Sequence, residues 1–194
     1  MLPFGHVAYT WAALAWLQSR ERATDVDYRG AAVAALLPDL IDKPLTLTFM
    51  SSSGTSQGPG HTLLGQALLT AAAARLGPEW LPYALISSSH LLADQMWKYP
   101  HTLLFPFSGR FDSWKFMGTP SAMLDAYAEI ATRPAIMAVE AVGLALLGWL
   151  VRRHRLYSRS SLKRFLLTGK PDAYPDSSPP DEAQPIEVRA EICA

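Results

Sequence analysis

Apolar runs broken by single prolines, glycines and isolated charges set the rhythm of this chain. Residues 2–19 (LPFGHVAYTWAALAWLQS) carry no charge apart from His6 and predict a helix near the minimum length for crossing a bilayer. No basic stretch precedes it and no small-residue cleavage site follows, so it reads as a retained helix rather than a secretory signal. Gly30 to Leu37 is alanine-rich and predicts a short helix that Pro38 ends or kinks. Pro38 and Pro44 then bracket Asp39 and Asp42 on a rigid bend. SSSGTSQGPG at 51–60 predicts a flexible loop. A helix opens at His61-Thr62, runs to Arg75 and stops at Gly77-Pro78. The next spans about Trp80 to Trp97, with Pro82 in its first turn and Lys98-Tyr99-Pro100 as its end. From Leu103 to Pro120 aromatics and glycines alternate without a period, which predicts a loop lying across the helices. Ser121 to Ala131 predicts a further helix, broken before Pro134.

Residues 134–151 (PAIMAVEAVGLALLGWLV) are the strongest membrane candidate, flanked by Arg133 and by Arg152-Arg153. Glu140 interrupts them. A charged group inside a span costs about 2–3 kcal/mol on insertion scales, so Glu140 must face a partner, stay protonated or lie near the interface. The alternative is a buried helix of a soluble bundle. No run shows the period-two alternation of a strand, so the fold class is all-α: a helical bundle with one or more membrane-associated helices. Four segments follow: a helical unit over 1–132, the membrane candidate over 133–151, a basic juxtamembrane segment over 152–170 and a tail over 171–194.

Composition sharpens this reading. Apolar residues make up 49% and charged residues 18%, with a mean hydropathy of +0.08, between a soluble helical protein and a small membrane protein. The formal net charge is zero, so no global field recruits nucleic acid. Residues 152–170 hold seven Lys or Arg and no acid, the block the positive-inside rule looks for, which places the C-terminal tail in the cytoplasm. Residues 171–194 hold six acids and five prolines, a composition too poor in apolar surface to fold alone. The single cysteine, Cys193, excludes an intramolecular disulfide and a thiolate zinc cage, so a metal here must use His and carboxylate.

Those groups are present. In Ser-Ser-His90-Leu-Leu-Ala-Asp94 the spacing of four puts an imidazole and a carboxylate on one helix face, a costly pair in apolar surroundings unless something binds them. His6, Asp39, Asp42 and His61 stand at other predicted helix edges, and His101 follows. Each has a plainer reading. His90–Asp94 is a common spacing, Asp39 after proline is ordinary turn chemistry, Asp42 is equally suited to pair with Lys43 or an Arg, and His61 fits a helix cap. His154, inside Arg-Arg-His-Arg, belongs to the basic segment. There is no phosphate-binding glycine loop and no Ser-His-Asp arrangement.

His6, ALLPDLIDKP, Gly-His-Thr-Leu-Leu and SSHLLADQMWKYPHTLLFPF together resemble the YdjM-like membrane-bound metal-dependent hydrolases, over about residues 3–108. That family is distantly similar to the zinc-dependent phospholipase C fold, an all-helical scaffold with scattered His and Asp ligands. The resemblance implies metal ligation by His6, Asp39, His61, His90 and Asp94, with Asp42 as a supporting or alternate ligand. The phospholipases' second His-x-x-x-Glu pair is absent. His101 could add one ligand, so one or two ions are expected rather than three. The expected cofactor is a divalent metal, zinc first, with manganese or magnesium as alternatives.

Such an ion would activate water and polarise a phosphoryl or acyl oxygen, with Asp39 or Asp94 bridging ions or accepting the proton. Trp97, Phe105, Phe107 and Trp114 could wall the site, though core or interface packing is the preferred reading for them. Lys98 and Arg110 could contact phosphate or simply face solvent or headgroups. The leading expectation is an inner-membrane hydrolase acting on a small-molecule or lipid phosphoester, with membrane lipids as partners, no nucleic acid, and an oligomer compatible with the sequence. The alternatives are a non-enzymatic helical membrane protein with a structural polar cluster and a partner-binding tail, and, less favoured, an ion transporter.

Overall fold

Among the residues described by the computed structural model (1–20, 26–49, 55–112 and 119–171), every regular element is helical, as the patterning predicts. The helices are α1 (Pro3–Gln18), α2 (Tyr28–Thr48), α3 (Leu63–Leu76), α4 (Leu81–Ala93), α5 (Pro100–Leu103), α6 (Pro120–Ala131), α7 (Pro134–Arg153) and α8 (Arg159–Thr168), with short 3-10 turns at Pro59–His61, Pro78–Trp80 and Met96–Lys98. Proline in the first turn starts several of them, where its missing N–H costs nothing. Asp27 caps α2 by accepting from the N–H groups of Arg29 (2.7 Å) and Gly30 (3.4 Å), and Thr62 caps α3 through Gly65 N–H at 2.8 Å.

Helix α2 lies at the centre, against α1 on one side and α4 on the other; α7 lies along α1, and α3 packs on α4. Gly30 permits the α2–α4 approach, since a Cβ there would sit 2.8 Å from the Tyr83 ring. Pro38 does not end α2, which continues through both Pro38 and Pro44. Each proline removes one backbone hydrogen bond, and packing against α1 and α4 outweighs that loss. Conversely, the helix expected to reach Trp97 stops at Ala93. Asp94 is its C-cap, and Gln95 adopts a left-handed conformation (φ 56°) that turns the chain away.

Helix α7 is the one helix among the described residues long and apolar enough to cross a membrane, with a mean hydropathy of 1.9. It is not a core helix: only Gly143 and Leu150 of it are buried, while Met137, Val142, Leu144 and Trp149 are exposed. Glu140 has a partner. Its Oε1 accepts from the N–H of Leu2, the N-cap of α1, at 2.9 Å, where the positive end of that helix favours an anion. Tyr9 adds a second α1–α7 tie, its hydroxyl donating to the Val139 carbonyl at 2.9 Å.

The basic segment after α7 contains a helix that charge density concealed. Helix α8 buries Phe165 edge-on against Trp11 (5.4 Å) and Tyr28 (6.0 Å), closing an apolar cluster with Leu14, Val26 and Ala31. Arg29 caps its C-terminus by donating from Nη1 to the Leu166 and Leu167 carbonyls at 3.0 and 2.8 Å. Of the predicted tail, residues 172–194, including Cys193, lie outside the described residues.

Candidate metal centre

Between α1, α2 and α4 the interior is polar: His6, Asp42, His61, Ser87 and His90 are all buried. Such groups are tolerated when their hydrogen bonds are satisfied; those of His6 and Asp42 are, whereas His61 Nε2, His90 Nε2 and Ser87 Oγ are left without a partner among the described residues. Asp42 accepts four N–H bonds. Its Oδ2 takes Gly58 N (2.7 Å), His61 N (3.1 Å) and His61 Nδ1 (2.6 Å), and its Oδ1 takes Gly60 N (2.8 Å). It thus folds the end of the 51–60 loop onto α2, and Thr55, Ser56 and Gln57 are buried rather than free. Gly60 is required at this approach: a Cβ would meet the Pro38 carbonyl at 2.8 Å.

His90 is oriented by the backbone. Its Nδ1 lies 2.7 Å from the Ala35 carbonyl, which can only accept, so Nδ1 carries the proton. For His61, Asp42 serves the same purpose. Both Nε2 atoms are therefore free to present lone pairs, and both are buried without a hydrogen-bond partner.

What they face is decisive for the chemistry. His61 Nε2 lies 3.6 Å from Asp39 Oδ1 and 3.8 Å from Asp94 Oδ2; His90 Nε2 lies 3.9 Å and 3.4 Å from the same two atoms. All four donors fall within 4.8 Å of one another, so these residues could hold a metal ion. With ligand bonds of about 2.0–2.1 Å, the edges of a tetrahedral site are roughly 3.4 Å, so the four imidazole–carboxylate spacings need a contraction of at most about 0.5 Å. Without a cation His61 holds a proton instead. Burial disfavours a charged His61, yet its contacts with Asp42 and Asp94 raise its pKa to about 9. Burial likewise opposes ionisation of Asp94, but its hydrogen bond with His6 and the close approach of the His61 and His90 imidazoles hold its carboxyl well below the usual range.

The other expected ligands are placed differently. His6 stacks on His90 (3.9 Å, 8° between planes) and its Nε2 meets Asp94 Oδ1 at 3.1 Å, on the oxygen not turned toward the two imidazoles. It stands outside the four-donor group and orients Asp94, which also receives the Met1 α-ammonium at 2.7 Å. Asp42 supports His61 as described. His101 is not brought in; on α5, its Nε2 lies 3.3 Å from Arg110 Nη2. Lys43 pairs with Asp39 Oδ2, not with Asp42, and lies over the Tyr127 ring at 5.3 Å.

A cleft of about 250 Å³ opens onto Asp39 and Asp94, lined also by Lys43, Gln57, Lys98, Tyr127 and Arg133. Its apolar side comes from Ile130, Ile136 and Val139, and neither Trp97, Phe105 nor Phe107 lines it. Trp97 and Phe107 are exposed, Phe105 stacks on Phe111 at 4.2 Å, and Trp114 lies outside the described residues. Lys43 was legible as the i+4 partner of Asp39. Tyr127 and Gln57 carried no signal in the sequence, because only the packing of α6 and the loop brings them here.

The model of the YdjM inner membrane protein family matches residues 1–157, which include all four donors and the whole of α7. The chain belongs to that family. Membership agrees with the one membrane-length helix and makes the inner membrane the setting of this YdjM chain. No curated protein and no solved structure matches it, so the likeness to phospholipases rests on the sequence motifs alone.

Proposed function

We propose that this YdjM-family protein is a membrane-bound metal-dependent hydrolase directed at phosphoesters close to the bilayer. The observation that supports it is the pair of buried, partnerless Nε2 atoms turned toward two carboxylate oxygens at 3.4–3.9 Å. Two imidazoles and two carboxylates suit zinc first and manganese next; magnesium favours oxygen ligands. A divalent ion held there would lower the pKa of water and polarise a phosphoryl oxygen. His61 and His90 hold the site in a fixed tautomer, and Asp94, braced by His6, completes the donor set. Asp39 divides its oxygens between the centre and Lys43 while lining the cleft, so it is the carboxylate best placed to accept a proton from an attacking water.

Orientation follows from charge. Seven Lys or Arg in residues 152–170 favour the cytoplasm for the C-terminal end of α7. The cleft uses Arg133, Ile136 and Val139, at the other end of that helix, so the site opens toward the opposite side of the inner membrane.

Elemental analysis of the detergent-purified full-length chain, beside His90→Ala and Asp94→Ala, tests the reading. The expected result is stoichiometric divalent metal and metal-dependent turnover of a phosphoester in the wild type, with both lost in the variants. No bound metal in the wild type refutes it; bound metal without turnover across phosphomonoesters and phosphodiesters makes the centre structural.

A further inference from the structure

The cleft beside the metal centre is lined by two chemically distinct sets of residues. One is Lys43, Lys98 and Arg133 with the carboxylates of Asp39 and Asp94 and the Tyr127 ring. The other is Ile130 of α6 and Ile136 and Val139 of α7. Gln57 also lines it, with a buried Oε1 that has no hydrogen-bond partner. Three cations face two carboxylates, so with a divalent ion in place the cleft is markedly positive and suits a phosphate group. Arg133 is shared with Glu129 at 3.2 Å, an exposed pair whose mutual attraction is too weak to hold the guanidinium against a phosphate.

Size and position narrow the ligand further. The cleft is about 250 Å³, below the roughly 300–1,000 Å³ of pockets that enclose a drug-sized molecule, so it admits a headgroup and not an acylated one entire. Its apolar wall is the first two turns of the membrane helix, and Arg133 stands at that helix's N-cap, the level where basic side chains meet the membrane surface. Farther along α7, Met137, Val142 and Leu144 are exposed apolar side chains. A phosphate carried on acyl chains would therefore reach the cleft without leaving the bilayer.

Resting on the hydrolase reading for its metal, we propose that the cleft binds an acyl-anchored phosphate, a phosphatidate-like lipid. Lys43, Lys98 and Arg133 grip its headgroup, and its chains lie along α7.

The test uses the full-length, zinc-loaded chain in dodecyl maltoside, titrated with dihexanoyl phosphatidate, inorganic phosphate and dihexanoylglycerol. The phosphatidate should bind at least about tenfold tighter than either comparator, and a Lys98→Gln, Arg133→Gln double variant should lose about tenfold of that affinity with its zinc content unchanged. Inorganic phosphate binding as tightly would make this a site for soluble phosphates. Dihexanoylglycerol binding as tightly would make it an apolar groove, and an unaffected double variant would remove the cations from recognition; each overturns the proposal. If the wild type holds no zinc, the hydrolase reading fails separately. The same titration without zinc then decides the lipid site: a kept preference for phosphatidate that depends on Lys98 and Arg133 supports it, and no preference overturns it.

Discussion

Replacing Asp42 by asparagine alters one atom of the side chain and leaves all four donors of the metal centre in place. Asp42 is fully buried, and its two oxygens accept from Gly58, Gly60 and both the backbone and the ring of His61. Asparagine has a single acceptor oxygen. Placed at the Oδ2 position it keeps three of the four bonds and sets its NH2 against the Gly60 N–H; the flipped orientation keeps one. The cheaper arrangement strands the buried Gly60 N–H and sets the asparagine NH2 against it without an acceptor, at about 1–3 kcal/mol for each group, and converts three charge-assisted bonds to neutral ones, for a total loss on the order of 5 kcal/mol. His61 keeps its tautomer in this orientation but loses the anion that makes its Nε2 a stronger ligand. Partners of this kind are worth about 10–100-fold in metal affinity.

The assay is zinc competition against a chelator on the detergent-purified chain, with thermal unfolding recorded with and without zinc. Asp42→Asn should bind zinc about 10–100-fold more weakly and unfold at lower temperature in both conditions. A folded Asp42→Asn protein with wild-type zinc affinity would refute the reasoning, because Asp42 would then hold only the loop and not tune the ligand.

Three further outcomes are expected. Without metal, His61 is raised from 6.5 to about 9, so the stability its charge provides is complete below pH 6.5 and lost as pH rises through about 9. The metal-free thermal midpoint should fall across that window and the zinc-loaded one should not; calorimetry at pH 7.5 in buffers of different ionisation enthalpy should register a proton released on zinc binding. Phe165→Ala should destabilise the chain by about 3–5 kcal/mol in chemical denaturation, since the ring is buried between Trp11 and Tyr28; a loss under about 1 kcal/mol would mean α8 is not docked. Cys193, the only cysteine, should react with a membrane-impermeant maleimide only after spheroplasts are permeabilised, and labelling of intact spheroplasts would invert the proposed orientation.

Where the sequence could be read and where it could not follows from the range of the forces involved. The stop of α3 at Gly77-Pro78, Pro82 in the first turn of α4, and the apolar length of α7 are local signals, and each sits where the pattern puts it. The His90–Asp94 pair is local too: one helical turn sets its Nε2–Oδ2 distance of 3.4 Å. The continuation of α2 through Pro38 and Pro44 is not local, because contacts with α1 and α4 compensate the two missing hydrogen bonds. Helix α8 was hidden for a different reason: its charged face obscured the single buried contact at Phe165 that docks it.

The division of labour between Asp39 and Asp42 shows the same limit at the site itself. Three residues apart on one helix, they lie on neighbouring parts of its surface and look interchangeable in sequence. The loop ending at His61 separates them. By bringing three backbone N–H groups and an imidazole to Asp42, it commits that carboxylate fully and leaves it nothing to offer an ion. Asp39, met on one oxygen by Lys43 alone among the described residues, keeps the other directed at His61 and His90. A carboxylate saturated by N–H donors positions a ligand, and one left half-satisfied becomes a ligand. That distinction exists only once the loop has closed, which is why the residue types were readable beforehand and their roles were not.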